Sequence, residues 1–341
     1  MIMATPKSHA SQQPANKLPP ANKPNTFRLV DSDCPSCRAS SSLKVVHRFE
    51  DDRHFVVACT NCSVQTILPH PTSSDVSEFY TNYHNTRTPD EQMPFLIEKS
   101  VNLFERLRKE GHLPSDLRTV RYLEAGFGNG ASVVAAAQLG MQTVGFDLDP
   151  NNVSDVARRL KDRDLHAHIQ CGDINQLIKC ETVDFIKASQ IIEHLIDPVG
   201  FVSSTSRLLS PNGYLYMECP NNSATFLQVK NLLRKPFGRM RFYNSLSVSE
   251  HLWGFNRASM TELLHSCGYE IVFCRDYPVR HKYLQPQTYF WYPSLLSGVM
   301  QSLSQRRAYP LLKSLIGVFD LAASVTLAEG IGLATLARKR G

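Results

Sequence analysis

The chain has 341 residues, of which 42% are hydrophobic and 20% charged, enough for one large globular domain and a small one. Its formal charge of +6 is spread along the sequence, which points weakly to anionic partners and does not amount to a nucleic-acid signature. The cysteine count is nine, an odd number, and no export signal is present, so a reduced, cytoplasmic protein is expected rather than a disulfide scaffold.

Residues 1–27 are rich in Pro, Asn, Lys, Ser and Ala and contain the near-repeat Pro14-Ala15-Asn16-Lys17 and Pro20-Ala21-Asn22-Lys23. Such a stretch buries too little apolar surface to offset its conformational entropy and is expected to be a disordered tail. Residues 28–70 follow as a zinc ribbon. Cys34 and Cys37 form one Cys-x-x-Cys pair, Cys59 and Cys62 another. A two-residue gap lets both thiolates of a tight turn face one point, and two such knuckles close a tetrahedron around Zn²⁺. Between them, "LKVVHRFEDDRHFVVAC" reads as two strands about the turn Glu50-Asp51-Asp52. The competing reading, a redox pair, needs a helix start in a βαβ unit, and none is evident here. Four cysteines fill the coordination shell, so the ion is expected to be structural. Cys171, Cys180, Cys219, Cys267 and Cys274 are scattered and are better read as small buried hydrophobes.

Residues 71–117 read as a helical linker or substrate-side cap, in which Tyr80 and Tyr83 are candidates for a substrate pocket or for core packing. From residue 118 strands and helices alternate at βαβ spacing. "TVRYLEAG" is a buried strand ending at Glu124, and "ASVVAAAQLG" a short helix stopped by Gly140. "MQTVGFDLDP" is a second strand ending at Asp147, with Pro150 opening the next helix. "HAHIQCGD" ends near Asp173, "VDFIKAS" is the fourth strand, "DPVGFVSSTSRLL" a helix and "GYLYMECP" the fifth strand. The fold class expected is α/β, a doubly wound, Rossmann-like parallel sheet with its ligand at the carboxyl ends of the strands.

Two ligands compete for that site. Gly126, Gly128 and Ala131 satisfy the dinucleotide pattern G-x-G-x-x-A. Yet the strand ends carry Glu124, Asp147, Asp149 and Asp173, with no basic residue in the glycine turn. Carboxylates suit a ligand with cationic groups and a ribose diol, such as S-adenosylmethionine.

"EAGFGNG", "GFDLDP", "CGDINQL" and "VDFIKASQIIEHLIDP", in that order, resemble the class I S-adenosylmethionine-dependent methyltransferases. Glu193-His194-Leu195 followed by Asp197-Pro198, and "EHLWGFNRASMTELLHSCGYEIV", resemble the ubiquinone-type O-methyltransferase branch. The resemblance covers roughly residues 118–276. It implies seven strands with the last, "IGLATLARKR", antiparallel, in a methyltransferase domain over 118–341 carrying a basic insertion at 222–249. It further implies that Glu124, Gly126, Gly128 and Gly130 hold the methionine part of the cofactor. Asp147 would take the ribose hydroxyls, Asp173 and Ile174 face the adenine, and Ser189 and Gln190 border the sulfonium and substrate.

Methyl transfer to a hydroxyl needs alignment and removal of a proton, for which histidine is the natural base. His194 and His251 are the candidates, each following a glutamate, and either could equally be a structural histidine. Adjacent residues on a helix do not face each other, so neither glutamate is expected to orient its own histidine. The insertion carries Lys230, Arg234, Lys235, Arg239 and Arg241 and reads as a solvated helix face, a lid for an anionic or phosphorylated substrate, or a contact with a membrane surface. The run 311–337 is broken by Lys313, Asp320 and Glu329, so no transmembrane segment is expected. Leu312, Leu315, Ile316, Phe319 and Ala323 instead mark an amphipathic helix. The acceptor expected is a small molecule: a sugar, a polysaccharide precursor or a secondary metabolite. An RNA acceptor gripped by the ribbon, and a non-catalytic interaction protein, are the alternatives; Asp31, Asp33, Glu50, Asp51 and Asp52 in the ribbon speak against phosphate contact.

Overall fold

The computed structural model describes residues 29–30, 33–40, 42–70, 72, 90–172, 182–225, 227–228, 231, 242–248, 250–277 and 332–340. The N-terminal tail, Tyr80 and Tyr83, Asp173 and Ile174, the five basic residues of the insertion and the run from Leu312 to Ala323 lie outside the described residues.

The chain opens with four short strands, β1 (Leu29–Val30), β2 (Leu43–Arg48), β3 (Phe55–Cys59) and β4 (Gln65–Leu68), each antiparallel to the next. The β2–β3 turn is set by Asp51, whose carboxylate accepts from the backbone N–H groups of Arg53 and His54, both at 3.0 Å. A side-chain oxygen in that role lets the chain reverse without a glycine. The sheet does not end at β4. Strand β12 (Trp253–Gly254) pairs antiparallel with it, Trp253 opposite Thr66. Ile67 N–H and Thr66 Oγ1 both donate to the Leu252 carbonyl at 3.1 Å, so the seam is bonded on either side of the register.

The large sheet has the order β13-β14-β9-β8-β5-β6-β7. Its strands are β5 (Arg121–Ala125), β6 (Gln142–Asp147), β7 (His168–Cys171), β8 (Val183–Ser189), β9 (Leu209–Pro220), β13 (Tyr269–Tyr277) and β14 (Gly332–Lys339), while β10 (Phe242–Tyr243) and β11 (Leu246–Ser247) form a separate antiparallel hairpin. β7, β6, β5, β8 and β9 run parallel, and β14 lies antiparallel between β9 and β13. β9 starts at Leu209, four residues before the expected Gly213. Leu209 is fully buried and pairs with Val183, so the strand begins at once where the helix stops, with a register irregularity following.

Helices α1 (Met93–Lys109), α2 (Ala131–Gln138), α3 (Pro150–Lys161), α4 (Pro198–Leu208) and α5 (Arg257–Ser266) cover the two faces. α3 and α4 start with proline at the first helical position, behind the capping carboxylates Asp149 and Asp197. One core lies under α1, α2 and α3. The other is shared: Val45, Val57 and Val64 of the small sheet pack with Leu123, Ile186 and Met217 of the large one, and with Trp253 and Phe255. Strand order reverses between β5 and β8, which is where an open α/β sheet leaves its crevice.

Candidate functional site

β5 delivers the chain into the glycine turn at that crevice. Gly126, Gly128 and Gly130 have φ of +62°, +51° and +74°, a region that side chains enter at a cost. The three differ in their surroundings. A Cβ on Gly126 would stand 2.2 Å from Ile191 Cδ1, and one on Gly130 would stand 2.2 Å from Val156 Cγ2. Gly128 has nothing within 4 Å and faces open space. Gly126 and Gly130 are therefore held by packing, and Gly128 marks the side from which a ligand can approach.

Glu124 is buried, 3% exposed, at the end of β5. Its Oε1 accepts from Lys187 Nζ at 2.8 Å and its other oxygen from the Tyr122 hydroxyl. Lys187 comes from β8 and is likewise buried. Burial, with Glu124 adding to it, pushes the Tyr122 phenol well above its usual range. Asp147, 8% exposed at the end of β6, accepts three N–H groups: Gly128 at 2.7 Å, Asp149 at 2.9 Å and Asn152 Nδ2 at 3.1 Å. It thereby joins the glycine turn to the start of α3. Arg159 of α3 braces the same turn, donating to the Asn129 carbonyl and to Asp90, both at 3.1 Å.

At the end of β8, Ser189 Oγ donates to Glu218 Oε2 at 3.0 Å, and Tyr216 donates to the other oxygen at 2.8 Å. Gln190 sits at φ +56° with its N–H on the Glu218 carbonyl at 2.7 Å. A cavity of about 820 Å³ opens here, lined by Glu124, Gly126, Gly128, Ser189, Gln190 and Glu218, with Lys99 and Arg106 of α1 among the residues on its wall. Asp147 is not on its lining and stands behind Gly128. A second cavity, of about 800 Å³, touches Arg121, Gln142 and Val183 at the opposite ends of the strands, where this sheet type does not place ligands.

The chain then turns rather than entering a helix, and Glu193 and His194 lie in that turn. The helical rule that sets neighbours apart does not apply, and His194 Nε2 stands 3.8 Å from Glu193 Oε1. His251 arrives from the segment before β12, its ring centroid 4.7 Å from that of His194. His194 Nδ1 is 2.9 Å from the Glu250 carbonyl, and His251 Nδ1 is 2.8 Å from the Ser245 carbonyl. The Glu193 carbonyl accepts from Leu252 and Trp253, which clamps the two segments together. Trp253 adds an indole N–H on the Leu195 carbonyl at 2.7 Å. Burial, with His251 beside it, pushes His194 down to about 4; burial, with Glu250 adding to it, pushes Glu193 up to about 8. Glu193 and His194 are thus both biased toward their uncharged forms, and His194 takes up a proton with difficulty.

The four ribbon cysteines converge. Cys34 and Cys62 sulfurs are 3.8 Å apart, Cys37 and Cys59 sulfurs 3.7 Å. Sulfurs held about 2.3 Å from one tetrahedral ion stand roughly 3.8 Å apart, so the spacing is that of a metal shell and too long for a disulfide. Backbone N–H groups of Asn61 and Cys62 point at Cys59 Sγ at 3.3 and 3.4 Å.

Lys187, Arg159, Tyr216 and Glu218 carry no motif and escape a sequence reading. Lys187 alone left a trace, a cation inside an otherwise apolar strand.

A family model described as a methyltransferase domain matches residues 90–273, more than half of the chain. A protein of Mycolicibacterium smegmatis, named a probable S-adenosylmethionine-dependent methyltransferase, is 31% identical over 150 residues, 44% of this chain and 51% of that protein. The ubiquinone biosynthesis O-methyltransferase of Methylocella silvestris is 28% identical over 120 residues, 35% of this chain and 47% of that protein. The chain therefore spans about half the length of the curated relatives it matches. Among solved structures, magnesium protoporphyrin IX methyltransferase of Synechocystis PCC 6803 with bound SAH is 13% identical. The match covers 78% of this chain and 95% of that one, at a TM-score of 0.46.

Proposed function

The chain belongs to the methyltransferase domain family, and on that premise we propose that it methylates an oxygen of a small-molecule acceptor with S-adenosylmethionine as donor. The bound donor would supply an electrophilic methyl group on a sulfonium. What carries the reading is convergence: Glu124, the open side of Gly128 and the Ser189-Gln190 corner meet on one cavity at the carboxyl ends of β5 and β8.

The roles follow from the contacts. Glu124, Gly126, Gly128 and Gly130 hold the methionine part, with Lys187 fixing the buried carboxylate in place. Asp147 takes the ribose hydroxyls. A carboxylate has about four acceptor sites and three are in use, so a diol displaces at least one donor. Asn152, a side chain free to rotate, is the one to give way. Asp173 and Ile174 are assigned to the adenine by the resemblance alone. Ser189 and Gln190 border the sulfonium, and His194 and His251, which do not line that cavity, are assigned to preparing the acceptor. Cys34, Cys37, Cys59 and Cys62 hold a structural Zn²⁺, for which the sulfur spacing is the support.

The acceptor we favour is a sugar, a polysaccharide precursor or a secondary metabolite. The methyltransferase relatives named for ubiquinone biosynthesis support an oxygen acceptor. Exposed Glu50, Asp51 and Asp52 at the ribbon's tip disfavour a nucleic acid there. Among the described residues no helix is long and apolar enough to cross a membrane. Native mass spectrometry with S-adenosylhomocysteine tests the reading. One adduct per chain, lost in Asp147→Ala, is expected; an adduct with NAD and none with S-adenosylhomocysteine refutes it.

A further inference from the structure

We propose that a small cavity at the seam between the ribbon sheet and the large domain is an acceptor subsite, in which a cluster of carboxamides holds a neutral, polyhydroxylated group, a sugar ring, and the ribbon supplies one of the amides.

The cavity has a volume of about 360 Å³. Four asparagines, two glutamines, a serine and a tyrosine line it, and none of these is charged. An anionic ligand calls for a cation on the wall, and an apolar ligand for an apolar wall. A carboxamide sets a donor beside an acceptor, which matches two neighbouring hydroxyls, each able to do both.

The amides come from separate segments and are held in fixed orientations. Asn222, just past the end of β9 and 4% exposed, donates through Nδ2 to Oε1 of Gln65 on β4 at 2.7 Å. Its Oδ1 accepts from Ser245 Oγ at 3.1 Å. A Cβ on Gly254 would stand 2.5 Å from Asn222 Cγ, so bare backbone is what admits this amide. Asn244, in the β10–β11 turn, donates to the same Gln65 oxygen at 3.4 Å. It accepts from Asn231 Nδ2 and returns its backbone N–H to Asn231 Oδ1 at 3.3 Å. Gln65 is thus tied through its oxygen alone, and its Nε2 donates to none of the described residues. The Tyr243 hydroxyl also has no hydrogen-bond partner among the described residues, while its ring stacks on His47 at 4.7 Å. A network that only glued the ribbon to the domain would spend these groups and close the hollow.

The subsite's task rests on the methyl-transfer reading. Ser245, which bonds Asn222, also holds His251 Nδ1 with its carbonyl at 2.8 Å. The cavity therefore adjoins the imidazole pair assigned to the acceptor. The end of β9 serves both places, with Glu218 on the wall of the larger cavity and Asn222 on this one.

Saturation-transfer NMR on the full chain tests this with the methyl glycosides of glucose, galactose, mannose, rhamnose and N-acetylglucosamine. Expected is transfer to at least one of them. Its affinity should fall roughly tenfold in Gln65→Ala and about three- to tenfold in Tyr243→Phe, which keeps the stacked ring. S-adenosylhomocysteine binding checks that each variant is folded. Transfer to none of the glycosides, displacement of the bound glycoside by inorganic phosphate, or unchanged affinity in either folded variant overturns the proposal. Glycoside binding without an S-adenosylhomocysteine adduct would keep the subsite and sink the methyl-transfer reading, and the reverse pair of results would do the opposite.

Discussion

Replacing Lys187 by methionine removes one charge from a buried ion pair at the cavity wall and keeps the volume. Lys187 Nζ and Glu124 Oε1 are 2.8 Å apart, with side chains 7% and 4% exposed. At an effective dielectric near 20, unit charges at that distance attract by about 6 kcal/mol, much of it offset by the loss of hydration. Taking away the cation alone leaves a buried carboxylate with only the Tyr122 hydroxyl, at a cost of about 3–5 kcal/mol. Adding Glu124→Gln removes the orphaned charge, so the double variant should regain most of that loss. Urea unfolding of the wild type, both single variants and the double variant gives the coupling directly. A second signature separates this from generic damage. The ammonium of S-adenosylhomocysteine can stand in for the lost lysine, so the ligand should raise the unfolding midpoint of Lys187→Met more than that of the wild type. A Lys187→Met protein within about 0.5 kcal/mol of wild type, or a double variant as unstable as the single, would refute the reasoning.

Gly130→Ala should destabilise by about 2–4 kcal/mol, adding the contact with Val156 to the left-handed backbone cost, whereas Gly128→Ala should cost only about 1–2 kcal/mol; urea midpoints decide. Asp184 accepts from Arg121 at 2.7 Å; burial works against it, but hydrogen bonds from the Arg121 side chain and backbone and from Ser210 hold its carboxyl below the usual range. A folded-state pKa below the unfolded value gives stability that is present at neutral pH and lost as pH falls below about 4. Asp184→Asn should therefore be less stable at neutral pH and show a shallower acid slope in pH-dependent unfolding. Trp253→Phe should cost about 1–2 kcal/mol through the unpaired Leu195 carbonyl, read in thermal unfolding.

The order of strands and helices was legible because each element carries its own punctuation: the glycines after β5, Pro150 behind Asp149, Pro198 behind Asp197. The cysteine cluster was legible for the same reason, since two-residue spacing is a local property. What was not legible depends on pairings across long separations. The cation that pairs with Glu124 was hidden, because Lys187 lies 63 positions away. His194 and His251 read as rival bases, and only the fold sets them face to face. The Glu193-His194 pair lies in a turn, where the helical rule that sets neighbours apart does not apply, yet it is the Glu250 carbonyl and not Glu193 that holds the His194 ring.

The pairing of β4 with β12 also dictates an order of events. Thr66 leaves the ribosome 187 residues before Trp253, the partner it will face. Until then the ribbon's sheet is one strand short, with the edge of β4 unpaired and Val57 and Val64 lacking the domain core that later buries them. An uncovered edge of this kind invites pairing with other chains. On the proposed zinc reading, metal capture by the four cysteines needs only residues 34–62 and can be finished early. The cysteine cluster would then act as a placeholder, keeping the hairpin in register through the long interval before the rest of the chain closes over it.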